Sequence, residues 1–241
     1  MRQRRWWRSM GAAGMSEQRL FEDRAALDRS LAEHIARQLQ EDIAQRGAAS
    51  LAVSGGSTPR GMFTCLASQV IPWDRVHITL VDERWVDASS PDSNERLVRE
   101  TLMRGPAASA HFTGMKSGHD DADHALGEMN AKLERMPLPF TCVVLGMGND
   151  GHTASWFPRA ANLQHLLDPE SDLLVGTCNP VTAPHQRMTL TLAAVLSATD
   201  IILHITGDEK RAVLEQAAEK HYPVAAVTGQ YDNEATIWWA P

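Results

Sequence analysis

The sequence has little cysteine and no long hydrophobic run. Its longest apolar stretches, such as Cys142–Leu145 and residues 201–203, are far shorter than the ~20 residues of a membrane-spanning helix, so we expect a soluble chain without a membrane partner. The three cysteines are an odd number and widely spaced, which argues against a disulfide framework and indicates a reducing, cytoplasmic compartment. No cysteine lies at metal-ligand spacing from a histidine, so we predict no metal site.

Positive charge is also scarce. The chain carries 23 Lys and Arg against 30 Asp and Glu, and this net charge of −7 repels a polyphosphate backbone, so we expect no nucleic-acid partner. Residues 1–14 contain four Arg, two Trp and no acid, which leaves −11 on the remainder. We interpret this segment as a disordered extension from an upstream start codon or a cloning remnant, with Met15 as the working start. The alternative is a basic arm that touches nucleic acid or a membrane.

The rest of the chain alternates between apolar runs and segments of helical periodicity. The length of 241 residues and the absence of a low-complexity linker fit one domain over residues 15–241. The patterns predict helices over 16–45, 60–70, 93–103, 121–135, 189–197 and 207–220. They predict strands over 50–53, 76–81, 141–145, 173–178, 200–205 and 236–239. This order is typical of an α/β fold with a mostly parallel sheet and helices on both faces.

The predicted loop at 54–59, with the sequence SGGSTP, follows the first of these strands and precedes a helix. Two glycines let the backbone approach a ligand, a hydroxyl can cap the helix, and the proline fits the first helical position. Such a loop can hold a phosphate on its N–H groups, although it could equally be a tight turn with an ordinary cap. The candidate anion-binding residues are Ser54, Gly55, Gly56, Ser57 and Thr58.

A second glycine-rich loop, GMGNDGHT at 146–153, follows the predicted strand at 141–145. It matches G-x-G-x-x-G formally, but Pro158 interrupts the following helix within two turns, so we reject a dinucleotide site. His152 lies on this loop beside Asp150, an arrangement that suits a general base near neutral pH. The alternative interpretation is that His152 is a polar residue that caps a helix.

Charged residues stand at further strand exits and helix starts. Side chains alternate along a strand, so Asp82 and Arg84 should point in one direction and Glu83 in the other. The alternative interpretation is that these charged residues only form a surface ion pair. Arg187 and Lys210 lie at predicted helix starts, where a cation opposes the helix dipole. In a chain that is otherwise acidic, these three basic residues favour an anionic small-molecule ligand. In an open parallel sheet all these loops should meet in one crevice.

Four motifs occur together in the order of a known family. They are LAVSGGSTP at 51–59, VDERWV at 81–86 with PDSN at 91–94, LGMGNDGHTASWFP at 145–158, and RMT at 187–189. The chain from about residue 18 onward resembles the 6-phosphogluconolactonase family. The resemblance implies a Rossmann-like, sugar-phosphate isomerase-like α/β domain, a cytoplasmic place in the pentose phosphate pathway, and no metal or organic cofactor.

Glucosamine-6-phosphate deaminase/isomerase shares the fold and several of these motifs. The deaminase has a glutamate five positions after its histidine, where this chain has Phe157, and usually a tyrosine where this chain has Arg84. We therefore favour lactone hydrolysis over amino-sugar isomerisation. A sugar-phosphate sensor without catalysis is a further alternative, although the intact Asp150-Gly-His152 argues against it.

The resemblance implies a small-molecule substrate, 6-phospho-D-glucono-1,5-lactone. We expect His152 to activate water, Asp150 or Asp82 to orient His152 or the sugar hydroxyls, and the 146–151 loop to stabilise the oxyanion. We expect a monomer or a small homo-oligomer. The expected substrate-binding and phosphate-binding residues are the 54–58 loop, Arg84, Gly148, Arg187 and Lys210.

Overall fold

The computed structural model describes residues 16–229 and 233–241, so the interpretation of residues 1–14 concerns a segment outside the described residues. The strands within that range are β1 Gln18–Leu20, β2 Ala49–Val53, β3 Val76–Leu80, β4 Asp82–Arg84, β5 His111–Phe112, β6 Cys142–Leu145, β7 Val175–Cys178, β8 Arg187–Leu190, β9 Asp200–Thr206 and β10 Thr236–Ala240. The helices are α1 Arg24–Arg46, α2 Arg60–Ala67, α3 Asn94–Thr101, α4 Ala122–Leu133, α5 Leu163–Leu166, α6 Leu192–Leu196, α7 Asp208–Glu215 and α8 Ala225–Thr228.

A seven-stranded sheet forms the centre, in the order β1-β10-β9-β6-β2-β3-β5. Each neighbouring pair in it is parallel. All residues of β2 and β6 are buried. Because successive side chains of a strand point to opposite faces, both faces of the sheet are covered. The predicted α/β fold with a mostly parallel sheet is therefore confirmed.

A small antiparallel sheet, β4-β8-β7, stands beside the main one. It pairs Asp82 with Thr189 and Arg84 with Arg187. The sequence patterns did not predict this sheet. Its effect is to bring two separated parts of the chain, residues 82–84 and 187–190, into contact at the carboxyl end of β3.

The structure corrects two predicted helices. The helix predicted from residue 16 begins at Arg24, because the Asp23 side chain accepts a hydrogen bond from the Ala26 N–H and caps it, while β1 pairs with β10. The helix predicted over 189–197 is shorter, since residues 187–190 form β8 and Thr191 caps α6. The argument that Arg187 stands at a helix start is therefore wrong.

The long helix α1 packs against α2 and also contacts β2, β6 and β10. Its buried face is a stripe of aliphatic residues: Leu27, Leu31, Ala32, Ile35, Ala36 and Leu39.

In the part of the chain that the structure describes, no helix is long and apolar enough to cross a membrane. The core thus fixes the sheet and leaves the polar loops at its carboxyl edge free to build a site.

Candidate active site

The 54–59 loop leaves the carboxyl end of β2 with unpaired backbone donors. Within the described residues, the N–H groups of residues 55–58 have no hydrogen-bond acceptor, whereas the Ser54 N–H is donated to the Val144 carbonyl at 3.0 Å. Gly56 has a φ of +92°, a backbone conformation that residues with a Cβ adopt only with strain. Several N–H groups ahead of a helix start form a cradle for an anion.

The Asp82–Arg84 strand is held by the buried carboxylate of Glu83. Glu83 accepts hydrogen bonds from the Arg84, Asn94 and Glu95 N–H groups and from the Ser93 hydroxyl, at 2.7 to 3.0 Å. Burial nevertheless raises the pKa of Glu83. Because Glu83 points inward, Asp82 and Arg84 point to the other side and line the cavity, as the alternation predicted.

His152 is oriented by Asp150 on the loop after β6. The distance from His152 Nδ1 to Asp150 Oδ1 is 2.5 Å, and this hydrogen bond lowers the pKa of Asp150. The imidazole lies against Gly148, where an added Cβ would come within 2.3 Å of the ring. On the other side the Phe157 ring stacks on His152, with 4.3 Å between ring centroids. The imidazole is therefore fixed on three sides.

These loops meet in a cavity of about 240 Å³ at the carboxyl edge of the sheet. Its lining includes the 54–59 loop, Asp82 and Arg84, Gly146 to Gly148, His152 and Lys210. The structure thus brings together the predicted residues at three strand exits and one helix start. Asp150 does not line the cavity itself and contacts it through His152.

Arg187 lies in an adjoining cavity of about 300 Å³, which shares Asp82, Arg84 and His152 with the first. Its side chain is buried, its Nη2 donates to the Pro184 carbonyl at 3.1 Å, and its guanidinium lies over the Phe157 ring. Burial lowers the pKa of Arg187, while the nearby carboxylate of Asp82 opposes that shift. Its binding to a phosphate stays a prediction, because it does not line the cavity of the 54–59 loop.

Lys210 stands in the first turn of α7, as predicted, and burial together with Arg24 lowers its pKa. Its ammonium has no hydrogen bond or ion pair among the described residues. A half-buried cation at a helix start, without a protein partner, is suited to an anionic ligand.

Four residues that the sequence reasoning did not assign also shape the site. Asn94 donates to the Asp82 carbonyl at 2.9 Å, and Ser155 donates to the Asp82 carboxylate at 2.6 Å. Phe157 packs on His152, and His204 lines the cavity from β9. Asn94, Ser155 and Phe157 lie inside the motifs that carry the resemblance, which is a signal that could have found them. His204 lies in an apolar strand and has no such signal.

The described residues contain no group of three or more His, Cys, Asp or Glu side chains that could hold a metal ion. The titratable groups that line the cavity are Arg84 and Lys210, the two histidines His152 and His204, and the single carboxylate of Asp82. This donor set favours an anionic organic ligand.

The sequence profile of the family described as glucosamine-6-phosphate isomerases/6-phosphogluconolactonase matches residues 22–238. The chain belongs to this family. Its relatives include the 6-phosphogluconolactonase of Mesorhizobium japonicum, 43% identical over 92% of this chain and 94% of the relative, and that of Rhizobium meliloti, 38% identical over 92% and 97%. The crystal structure of a 6-phosphogluconolactonase from Shewanella baltica superposes with a TM-score of 0.91 at 43% identity, covering 95% of this chain and all of the other. The family recognised from the four motifs, and its lactonase class of enzyme, are confirmed.

Proposed function

We propose that this chain hydrolyses 6-phospho-D-glucono-1,5-lactone to 6-phospho-D-gluconate, the second step of the oxidative pentose phosphate pathway. The observation that carries the proposal is the His152–Asp150 pair at the junction of two cavities, one of which is lined by unpaired N–H groups and Lys210. The reaction takes place in the cytoplasm without a metal or organic cofactor, in a monomer or a small homo-oligomer.

His152 acts as the general base. Asp150 is ionised because its pKa is lowered, so it accepts a hydrogen bond from the Nδ1–H of His152, and the lone pair of Nε2 stays available. Nε2 takes a proton from water as the water oxygen attacks the lactone carbonyl carbon. The same proton then passes to the ring oxygen as its bond to that carbon breaks, and near neutral pH the carboxyl product loses a proton to solvent.

The phosphate group rests on the 54–58 loop. The N–H groups of this loop and the ammonium of Lys210 bind the phosphate oxygens, and Arg84 lies at the junction with the adjoining cavity. Arg187 adds positive charge from that second cavity. Asp82, fixed by the Ser155 hydroxyl, accepts hydrogen bonds from the sugar hydroxyls.

The developing oxyanion is stabilised by a backbone N–H of the 146–151 loop. Two of these groups are already used, since the Gly148 N–H is donated to the His152 carbonyl and the Gly151 N–H to the Gly148 carbonyl. The Met147 N–H has no acceptor within the described residues and is the best candidate. A well-placed donor of this kind contributes about 2.7–4 kcal/mol in other enzymes.

Amino-sugar isomerisation has less support. Where the deaminase carries the glutamate that assists ring opening, Phe157 is buried and stacked on the catalytic imidazole. No carboxylate can act from that position. A sensor without catalysis would have no need of an imidazole held by a carboxylate at the cavity wall.

The proposal is tested with purified protein and 6-phosphogluconolactone made freshly from glucose 6-phosphate. We expect proton release well above the spontaneous rate and no ammonia from glucosamine 6-phosphate. Ammonia release would favour the deaminase. Tight binding of 6-phosphogluconate without any acceleration of lactone opening would favour a sensor and overturn the proposed activity.

A further inference from the structure

His204, on the interior strand β9, is a buried histidine without hydrogen-bond partners among the described residues. Its side chain is 2% exposed, and neither ring nitrogen has a hydrogen bond within the part of the chain that the structure describes. The nearest carboxylate, that of Asp28, lies 3.8 Å from Nε2, beyond hydrogen-bond reach. A buried polar group left unpaired destabilises a fold, so a native structure that keeps one usually uses it.

The position of His204 connects it with the phosphate end of the site. His204 lines the same cavity as the 54–59 loop and Lys210. Asp28, its neighbour, lies against the first turn of α2, where a Cβ on Gly61 would come within 1.9 Å of the carboxylate. Asp28 thus lies between His204 and the start of the helix that follows the glycine loop.

The electrostatic surroundings favour an anion there and keep the imidazole uncharged. Burial first, and then the charges of Arg24 and Lys210, lower the pKa of His204 to about 3. Burial raises the pKa of Asp28, with Arg24 opposing that shift. A neutral imidazole offers one N–H donor and one lone pair. The charges around the neutral imidazole of His204 are thus two cations, Arg24 and Lys210, and one carboxylate, that of Asp28.

We propose that His204 is a phosphate-binding residue: it donates a ring N–H to a phosphate oxygen of the ligand bound in this cavity. The inference rests on the proposed function for the identity of the ligand as a sugar phosphate. Because Lys210 and His204 both line this cavity, the phosphate has two side-chain donors besides the backbone of residues 55–58. His204 thereby contributes to the preference for phosphorylated lactones.

The test is calorimetric titration of wild type and His204→Leu with inorganic phosphate and with 6-phosphogluconate. We expect the Kd for each to rise about tenfold, the size of one lost hydrogen bond to a charged group. The KM for the lactone should rise similarly while kcat stays within about twofold. The melting temperature should not fall, because leucine removes two unpaired buried nitrogens.

Two further variants keep the test decisive. His204→Gln retains an amide donor and should recover part of the lost affinity. His77→Leu, near the amino end of β3 and away from the cavity, should bind phosphate as the wild type does. An unchanged Kd for inorganic phosphate in His204→Leu would overturn the inference. A wild type that binds phosphate through His204 but does not open the lactone would instead remove the proposed function and leave this inference intact.

Discussion

The two ends of the main sheet differ in whether their polar and charged side chains have partners within the protein. At the amino end the charges are paired: His34 Nε2 lies 2.7 Å from Asp200 and its Nδ1 accepts from Arg37 at 3.0 Å, while Asp42 binds both Arg46 and Thr141. At the carboxyl end Asp150 and His152 are paired as well, but within the described residues Lys210 has no hydrogen-bond or ion-pair partner and both nitrogens of His204 are unpaired.

This difference separates a structural role from a binding role. Polar groups that satisfy one another hold helices and strands together, and replacing one of them should affect stability. Buried cations and donors without protein partners lower stability, so their retention is explained by a ligand that completes the pairing. We therefore expect the polar cluster at the amino end to stabilise the fold and the cavity at the carboxyl end to bind the substrate.

The largest expected effect is that of His152→Asn. We predict that kcat for the lactone falls at least ~10²-fold, the lower scale of general-base effects, because asparagine cannot accept a proton from water. The proposed substrate contacts to the 54–58 loop and Lys210 are retained in this variant, so KM should change little. Initial rates of proton release, corrected for spontaneous hydrolysis, measure both constants.

His34→Asn is the matched control at the other end of the sheet. It also loses an imidazole that is bonded to an aspartate, so it should lower the melting temperature while kcat stays near that of the wild type. If His152→Asn retained the wild-type kcat, or if both variants lost activity equally, the division between the two ends would be wrong.

The second-largest expected effect is that of Lys210→Met on KM. We predict a KM for the phosphorylated lactone that is about tenfold higher or more, with a much smaller change for unphosphorylated glucono-1,5-lactone. Methionine keeps the apolar stem without the buried, unpaired charge, so the melting temperature should stay level or rise. Equal loss on both lactones would show that Lys210 does not bind the phosphate.

Much of the carboxyl end could be predicted from the sequence, because its chemistry lies in short continuous segments. A strand followed by SGGSTP predicts where a phosphate could bind, and alternation along a strand separates Asp82 and Arg84 from Glu83. Asp150 and His152 are two residues apart, so their hydrogen bond depends on one loop alone. Such local relations need no knowledge of the tertiary structure.

Long-range pairing is what the sequence patterns missed. Arg187 lies in a strand because residues 187–190 pair with β4 and β7, and this pairing overrides the local helical appearance of 189–197. Leu20 fits the helical periodicity of the following segment, but it belongs to β1, which forms because it pairs with β10. His204 has the sequence context of a core residue, and only its tertiary neighbours reveal a role for it.

The smallest expected effect tests the amino end through Asp42→Asn. Burial alone would raise the pKa of Asp42, but hydrogen bonds from Arg46 and Thr141 outweigh it and lower the pKa. The folded protein therefore gains stability that is complete above the pKa of an unfolded aspartate, about 3.9, and is lost as pH falls through the lower folded value. We predict a loss of about 1 kcal/mol in the free energy of unfolding by urea at pH 7, with unchanged kcat. The loss should shrink below pH 4, whereas Asp74→Asn, at an exposed ion pair of 3.7 Å, should have little effect at either pH. An equal loss at both pH values would mean that Asp42 contributes through packing and not through its charge.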